Sequence, residues 1–169
     1  KLIALITSFF IVEQVASANE VSGDKILLNT SKGEVIINLM PEIAPVHVAR
    51  IVELVKSGFY DGVIFHRIIP GFMAQTGDPK GNGTGGSGTN LKAEFSDYKY
   101  INGTVGMART MDPNSADSQF FICFDGCGHL TGQYTVWGQV ETGMEVVEAL
   151  NVGEPPADPD KILSAKIIN

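Results

Sequence analysis

The sequence predicts a mainly β domain: a closed, eight-stranded antiparallel β-barrel capped by two α-helices. Three observations carry this. Short apolar runs recur along the chain, each ended by turn residues. Nineteen glycines and eight prolines in 169 residues supply those turns and disfavour a helical bundle. Only two stretches carry helical spacing. Closure into a barrel removes the exposed edges that a small β protein must otherwise protect.

The elements follow in order. Lys25-Ile-Leu-Leu-Asn-Thr and Gly33-Glu-Val-Ile-Ile-Asn-Leu are β-type runs, and Ser31-Lys32-Gly33 between them predicts a hairpin. Pro41 ends the second run. Ala44-Pro45 opens a helix whose apolar positions are Val48, Ile51, Val52 and Val55, with Gly58 as its stop. Two strands, Phe65-His-Arg and Phe72-Met-Ala-Gln, flank a Pro70-Gly71 turn. Residues 77–90 are a loop, six of the fourteen being glycine. Strands follow at Gly103-Thr-Val-Gly-Met-Ala, Ser118-Gln-Phe-Phe-Ile-Cys-Phe and Tyr134-Thr-Val-Trp-Gly-Gln-Val. A short second helix spans 143–150, with Met144, Val147 and Leu150 three apart. Glu154-Pro-Pro-Ala-Asp-Pro-Asp is a stiff loop, and residues 162–168 close the domain.

Hydrophobic residues make up 44% of the chain and charged ones 18%, an ordinary globular balance for one domain. The formal charge of −7 argues against nucleic acid and anionic membrane as partners. Lys1, the apolar stretch 2–12 and Ala16-Ser17-Ala18 have the form of a cleaved leader, against a buried first helix or strand. Residues 1–18 are therefore expected to be a signal peptide and 19–169 the functional domain. The expected location is the periplasm, or the cytoplasm if the leader is retained. The apolar run is too short for stable membrane insertion. Cys123 and Cys127 can pair in an exported protein or stay free in a cytosolic one, and the sequence favours free thiols. With His47, His66 and His129 they match no zinc spacing.

The run Phe65-His-Arg-Ile-Ile-Pro-Gly-Phe-Met-Ala-Gln75 carries the chemistry. Alternate residues of a strand share a face, so Arg67, Met73 and Gln75 converge. A fixed cation and an amide beside apolar side chains can grip an apolar residue and hydrogen-bond the adjoining amide. No nucleophile, general base or metal is required. His66 is expected on the opposite face, as a core or rim histidine. Gly81-Asn-Gly-Thr-Gly-Gly86 fits the dinucleotide fingerprint only formally, since neither a preceding strand nor a following helix supports it. Gly85-Gly-Ser-Gly-Thr89 lacks the last glycine of a nucleophile elbow.

The same run resembles the signature of the cyclophilins, the cyclosporin-binding class of peptidyl-prolyl isomerases. So do Asn82-Gly-Thr-Gly-Gly, Gly106-Met-Ala, Ser118-Gln-Phe-Phe-Ile and Leu130-x-Gly-x-Tyr-x-Val-Trp-Gly, in the family's order. The resemblance spans about residues 24–168. It implies that Arg67 and Gln75 are catalytic and that Phe72, Met73, Phe121 and Leu130 form the proline pocket. It places Gln119 at the pocket's edge and Gly83, Ala108, Arg109 and Thr110 in an adjoining groove. His129 stands where cyclosporin-sensitive members carry tryptophan, which predicts weakened cyclosporin binding. Tyr134 replaces a pocket histidine and keeps an aromatic wall, as in exported bacterial members. The implied partners are proline-containing polypeptides and unfolded proteins, with no cofactor, no metal and a monomeric chain. A proline-binding chaperone with incidental catalysis would use the same pocket.

Overall fold

The computed structural model describes residues 24–169; the expected leader lies outside them. β1 (Lys25–Thr30) and β2 (Gly33–Leu39) form the predicted hairpin. The Thr30 hydroxyl closes its turn, donating to the Gly33 carbonyl at 2.7 Å and accepting from the Lys32 N–H at 3.2 Å. Helix α1 (Pro45–Lys56) starts on proline, whose missing N–H costs nothing at that position. Its Ala44 cap has no side-chain acceptor. Glu94, distant in sequence, takes the Val46 and His47 N–H groups at 3.1 and 2.9 Å instead.

The remaining elements are β3 (Arg67–Ile69), β4 (Met73–Thr76), β5 (Thr104–Met107), β6 (Phe120–Cys123), β7 (Val136–Thr142), α2 (Met144–Glu148) and β8 (Ile162–Ile168). The eight strands form one antiparallel sheet in the order β3-β4-β6-β5-β7-β2-β1-β8. The barrel closes just outside its end strands, through a bridge between Ile64 and Lys161. There Phe65 N–H donates to the Asp160 carbonyl at 2.8 Å and Ile162 N–H to the Val63 carbonyl at 2.9 Å.

Several elements are shorter than their sequence patterns. β3 begins at Arg67, so Phe65 and His66 precede it, and Tyr134 precedes β7. The second helix is a single short turn region of five residues. The stretch after β6 is a 3-10 helix over Asp125–Leu130, which no sequence pattern predicts. Gly126 packs there against the Gly71 carbonyl, which a Cβ would meet at 2.5 Å. This segment also corrects the expectation of free thiols: Cys123 and Cys127 are joined in a disulfide, with Cα atoms 6.0 Å apart. The tight helical turn supplies the approach that a spacing of four residues does not by itself guarantee.

The apolar side chains divide between two faces of the sheet. The inner cluster contains Ile26, Ile37, Phe120 and Trp137 and is capped by α1 residues such as Ile51. A smaller outer cluster holds Met73, Tyr100, Phe121, Leu130 and Val136 beneath loops.

Candidate active site

Strand register assembles the outer face. Arg67 of β3 lies opposite Gln75 of β4, which lies opposite Phe121 of β6, which lies opposite Gly106 of β5. Met73, two residues from Gln75, pairs with Ile69 on one side and Cys123 on the other. Antiparallel pairing thus places a cation, an amide and an aromatic ring in one row across three strands.

The row ends in a cleft lined by Arg67, Phe72, Met73, Gln75, Ala108, Arg109, Phe121, Leu130 and Tyr134. Behind Phe121, Tyr100 stacks at a centroid distance of 5.7 Å, and Tyr134 meets it edge-on at 5.8 Å. A Cβ on Gly106 would stand 2.8 Å from Phe121 Cζ and would also collide with the Tyr100 hydroxyl. Glycine there lets both rings lie close to the sheet. The 3-10 helix delivers Leu130 to the wall, and its disulfide ties that wall to β6. The Arg109 guanidinium lies over the Tyr134 ring at 4.4 Å and donates to the Gln133 and Thr110 carbonyls.

Gln75 donates through Nε2 to Gln119 Oε1 at 2.9 Å. Gln119 in turn donates to the carbonyls of Gly83 and Gly85, at 3.1 and 2.8 Å. This amide chain ties the glycine-rich loop to the row of Arg67, Gln75 and Phe121. The loop is also held from below by Asp78, which accepts the N–H groups of Lys80, Asn82 and Gly83 at 2.7, 3.0 and 2.6 Å. Burial alone would raise the Asp78 carboxyl; its backbone donors outweigh burial and hold it below the ordinary value. A larger groove adjoins the cleft, sharing Gln75, Ala108 and Arg109 with it and adding Gly83, Thr110 and Gln119.

The sequence-derived residues therefore fall into three places. Arg67, Phe72, Met73, Gln75, Ala108, Arg109, Phe121, Leu130 and Tyr134 line the cleft. Gly83, Thr110 and Gln119 border the adjoining groove. His129 lines neither; it stacks on Phe72 at 5.5 Å, extending the wall outward. His66 is 5% exposed, and neither ring nitrogen has a hydrogen-bond partner. Burial holds its imidazole below the usual pKa; Asp78 opposes this, and the Arg67 charge adds to it. Sequence reasoning missed Tyr100, Asp78 and above all Glu154, whose carboxylate accepts from Arg67 Nε at 2.6 Å. The only signal for Glu154 was an acid heading a proline-stiffened loop. Among the described residues no group of three or more His, Cys, Asp or Glu side chains is placed to hold a metal ion.

Similarity to known proteins identifies the family. The profile of the family described as cyclophilin type peptidyl-prolyl cis-trans isomerase/CLD matches residues 25–167. A probable peptidyl-prolyl cis-trans isomerase of Brucella suis is 48% identical over 171 residues, covering 91% of this chain and 87% of its own. A crystal structure of a cyclophilin from Hirschia baltica superposes with a TM-score of 0.74 at 33% identity, covering 84% of this chain and 73% of that one. A cyclophilin-type isomerase of Cryptosporidium parvum, determined in the presence of the dipeptide Ala-Pro, gives a TM-score of 0.81 at 30% identity, with coverages of 86% and 99%. The chain belongs to the cyclophilin-type peptidyl-prolyl cis-trans isomerases.

Proposed function

We propose that this chain rotates X-Pro peptide bonds in the cleft beside Arg67, with the proline ring seated against Phe121, Met73 and Leu130. One observation carries the reading: the register that sets Arg67, Gln75 and Phe121 side by side. The C. parvum relative crystallised with Ala-Pro supports the same ligand chemistry.

Amide resonance keeps an X-Pro bond planar, with a barrier of roughly 18–20 kcal/mol. At the barrier top the bond is twisted, resonance is lost, and the nitrogen lone pair becomes an acceptor. Arg67 donates to that nitrogen through its Nη groups. The guanidinium is always protonated and its donors are planar and fixed. A donor that finds its acceptor only in the twisted state binds the transition state more tightly than the ground state. Gln75 donates one amide N–H to Gln119, which fixes the amide's orientation and lets its carbonyl oxygen accept a backbone N–H of the bound peptide. No proton moves and no group is transferred, so the step requires neither metal nor cofactor.

Arg67 does not account for the whole rate. A hydrogen bond to a charged group is worth about 1.5–3 kcal/mol, which is roughly one to two decades of rate. The remainder comes from the apolar walls, which hold the ring while the upstream carbonyl swings and exclude water from the strained amide. The open groove toward Gly83 and Thr110 accommodates chain upstream of the proline, which suits extended or unfolded polypeptides, bound by a monomer. His129 in place of an indole at the outer wall weakens cyclosporin binding. The disulfide and the Ala16-Ser17-Ala18 site support export to the periplasm, where disulfides persist; N-terminal sequencing of the mature chain tests this.

The decisive assay is protease-coupled isomerisation of an Ala-Pro peptide. Arg67→Ala should lower kcat/KM by about one to two decades with the melting temperature unchanged. Full turnover by that variant would overturn the assignment.

A further inference from the structure

We propose that Glu154 is a positioning residue: it grips Arg67 by Nε and so aims the Nη donors at the substrate. The inference rests on the role given to Arg67 above. Arg67 Nε donates to Glu154 Oε1 at 2.6 Å, while Nη1 lies 4.0 Å from Met73 Sδ on the cleft floor. The guanidinium therefore has one edge outside the cleft and one inside it. Among the described residues, Glu154 is the only oxygen acceptor on this group.

The carboxylate is itself held in place. Gly153 pairs with Ile68, the residue next to Arg67, with N–H to carbonyl distances of 2.8 and 3.2 Å in the two directions. Gly153 lies within reach of the following prolines, and a Cβ there would meet Pro156 Cα at 2.5 Å. Pro155 and Pro156 stiffen the loop beyond it. At the loop's base, Asn151 donates from its backbone N–H to Asp160 Oδ2 and from its side chain to the Asp158 carbonyl, both at 2.8 Å. Asp160 accepts in turn from Ser31 at 2.7 Å. A loop tied to β3 at one point and to the β1–β2 turn at another presents Glu154 at a fixed place.

The pair is no stability device. The Arg67 and Glu154 side chains are 39% and 53% exposed, and exposed ion pairs contribute little to folding. Its consequence lies in geometry. A free arginine side chain samples many rotamers, and a donor must be ordered before it helps a transition state. Glu154 removes that disorder ahead of catalysis.

The test is a double-mutant cycle on the full chain in the Ala-Pro assay, with kcat and KM determined separately. Glu154→Ala should lower kcat about tenfold, leave KM within about twofold and leave the melting temperature unchanged. Glu154→Gln, which keeps an acceptor oxygen, should recover part of the loss. The variant carrying both Arg67→Ala and Glu154→Ala should match Arg67→Ala alone, because the carboxylate acts only through the guanidinium. Undiminished kcat in Glu154→Ala, with Arg67→Ala impaired, would overturn the proposal and leave the cleft assignment standing. A further loss on adding Glu154→Ala to Arg67→Ala would overturn it too, by showing that Glu154 meets substrate directly. Full activity in Arg67→Ala alone would instead strike the cleft assignment itself.

Discussion

Phe120 and Phe121 are neighbours in one strand and serve opposite faces of the barrel. Phe120 points inward, edge-on to Tyr60 at 5.5 Å and to Trp137 at 5.3 Å. Phe121 points outward into the smaller cluster, where its ring borders the cleft. Both are almost wholly buried, at 1% and 4% exposure, so burial does not distinguish them. What distinguishes them is the cover. Helices and strands seal the inner face, whereas loops cover the outer one incompletely and leave a ring-sized opening beside Arg67. His66 and Arg67 repeat the contrast: the imidazole is buried and unpartnered, the guanidinium half-exposed and aimed. Period-two alternation lets a single strand serve stability on one side and chemistry on the other.

The largest effect is expected at Phe120. Phe120→Ala should cost about 3–5 kcal/mol of folding stability, read from urea denaturation, while KM of the folded fraction stays near the parent value. A changed KM with unchanged stability would reverse the roles of the two faces. Arg67→Ala should show the converse, a loss of about 1.5–3 kcal/mol in transition-state binding with no change in melting temperature.

A smaller effect separates His66 from its neighbour. Its folded-state pKa is lowered, so below the ordinary value of 6.5 the unfolded chain binds a proton that the folded chain does not. Stability from this group is therefore full above about pH 6.5 and falls as pH drops toward the folded value, by at most about 1.4 kcal/mol per pH unit. Denaturation curves at about pH 7.5, 6 and 5 should show this slope, and His66→Gln should flatten it. An unaltered slope in that variant would assign the acid sensitivity elsewhere. The smallest expected change is at the outer wall. His129→Trp should tighten cyclosporin binding by about 0.5–1.5 kcal/mol through added aromatic contact, measured by titration of tryptophan fluorescence. Equal affinities would show that the ring stacked on Phe72 takes no part in that surface.

Much of this was legible in the sequence because it depends on local rules. The hairpin at Lys32, the helix opened by Pro45 and the convergence of Arg67, Met73 and Gln75 all follow from turn chemistry and periodicity. The family resemblance implies that Phe72 and Phe121 share one pocket, and in the structure both line the cleft. Other features were not legible. The 3-10 helix is too short for a periodic signature, so no local pattern reveals the pairing of Cys123 with Cys127. Glu154 sits 87 residues from Arg67, and no local pattern announces an ion pair across such a distance.

By itself, then, the sequence determined the β class and the shared face of Arg67, Met73 and Gln75, because alternation and turn propensity act between near neighbours; the other cleft residues came from the resemblance to the family. Only the tertiary structure decided which strands stand side by side, how Gly106 makes room for Phe121 and Tyr100, and which carboxylate meets Arg67. Those contacts join segments far apart in the chain, and they exist only once the barrel has closed.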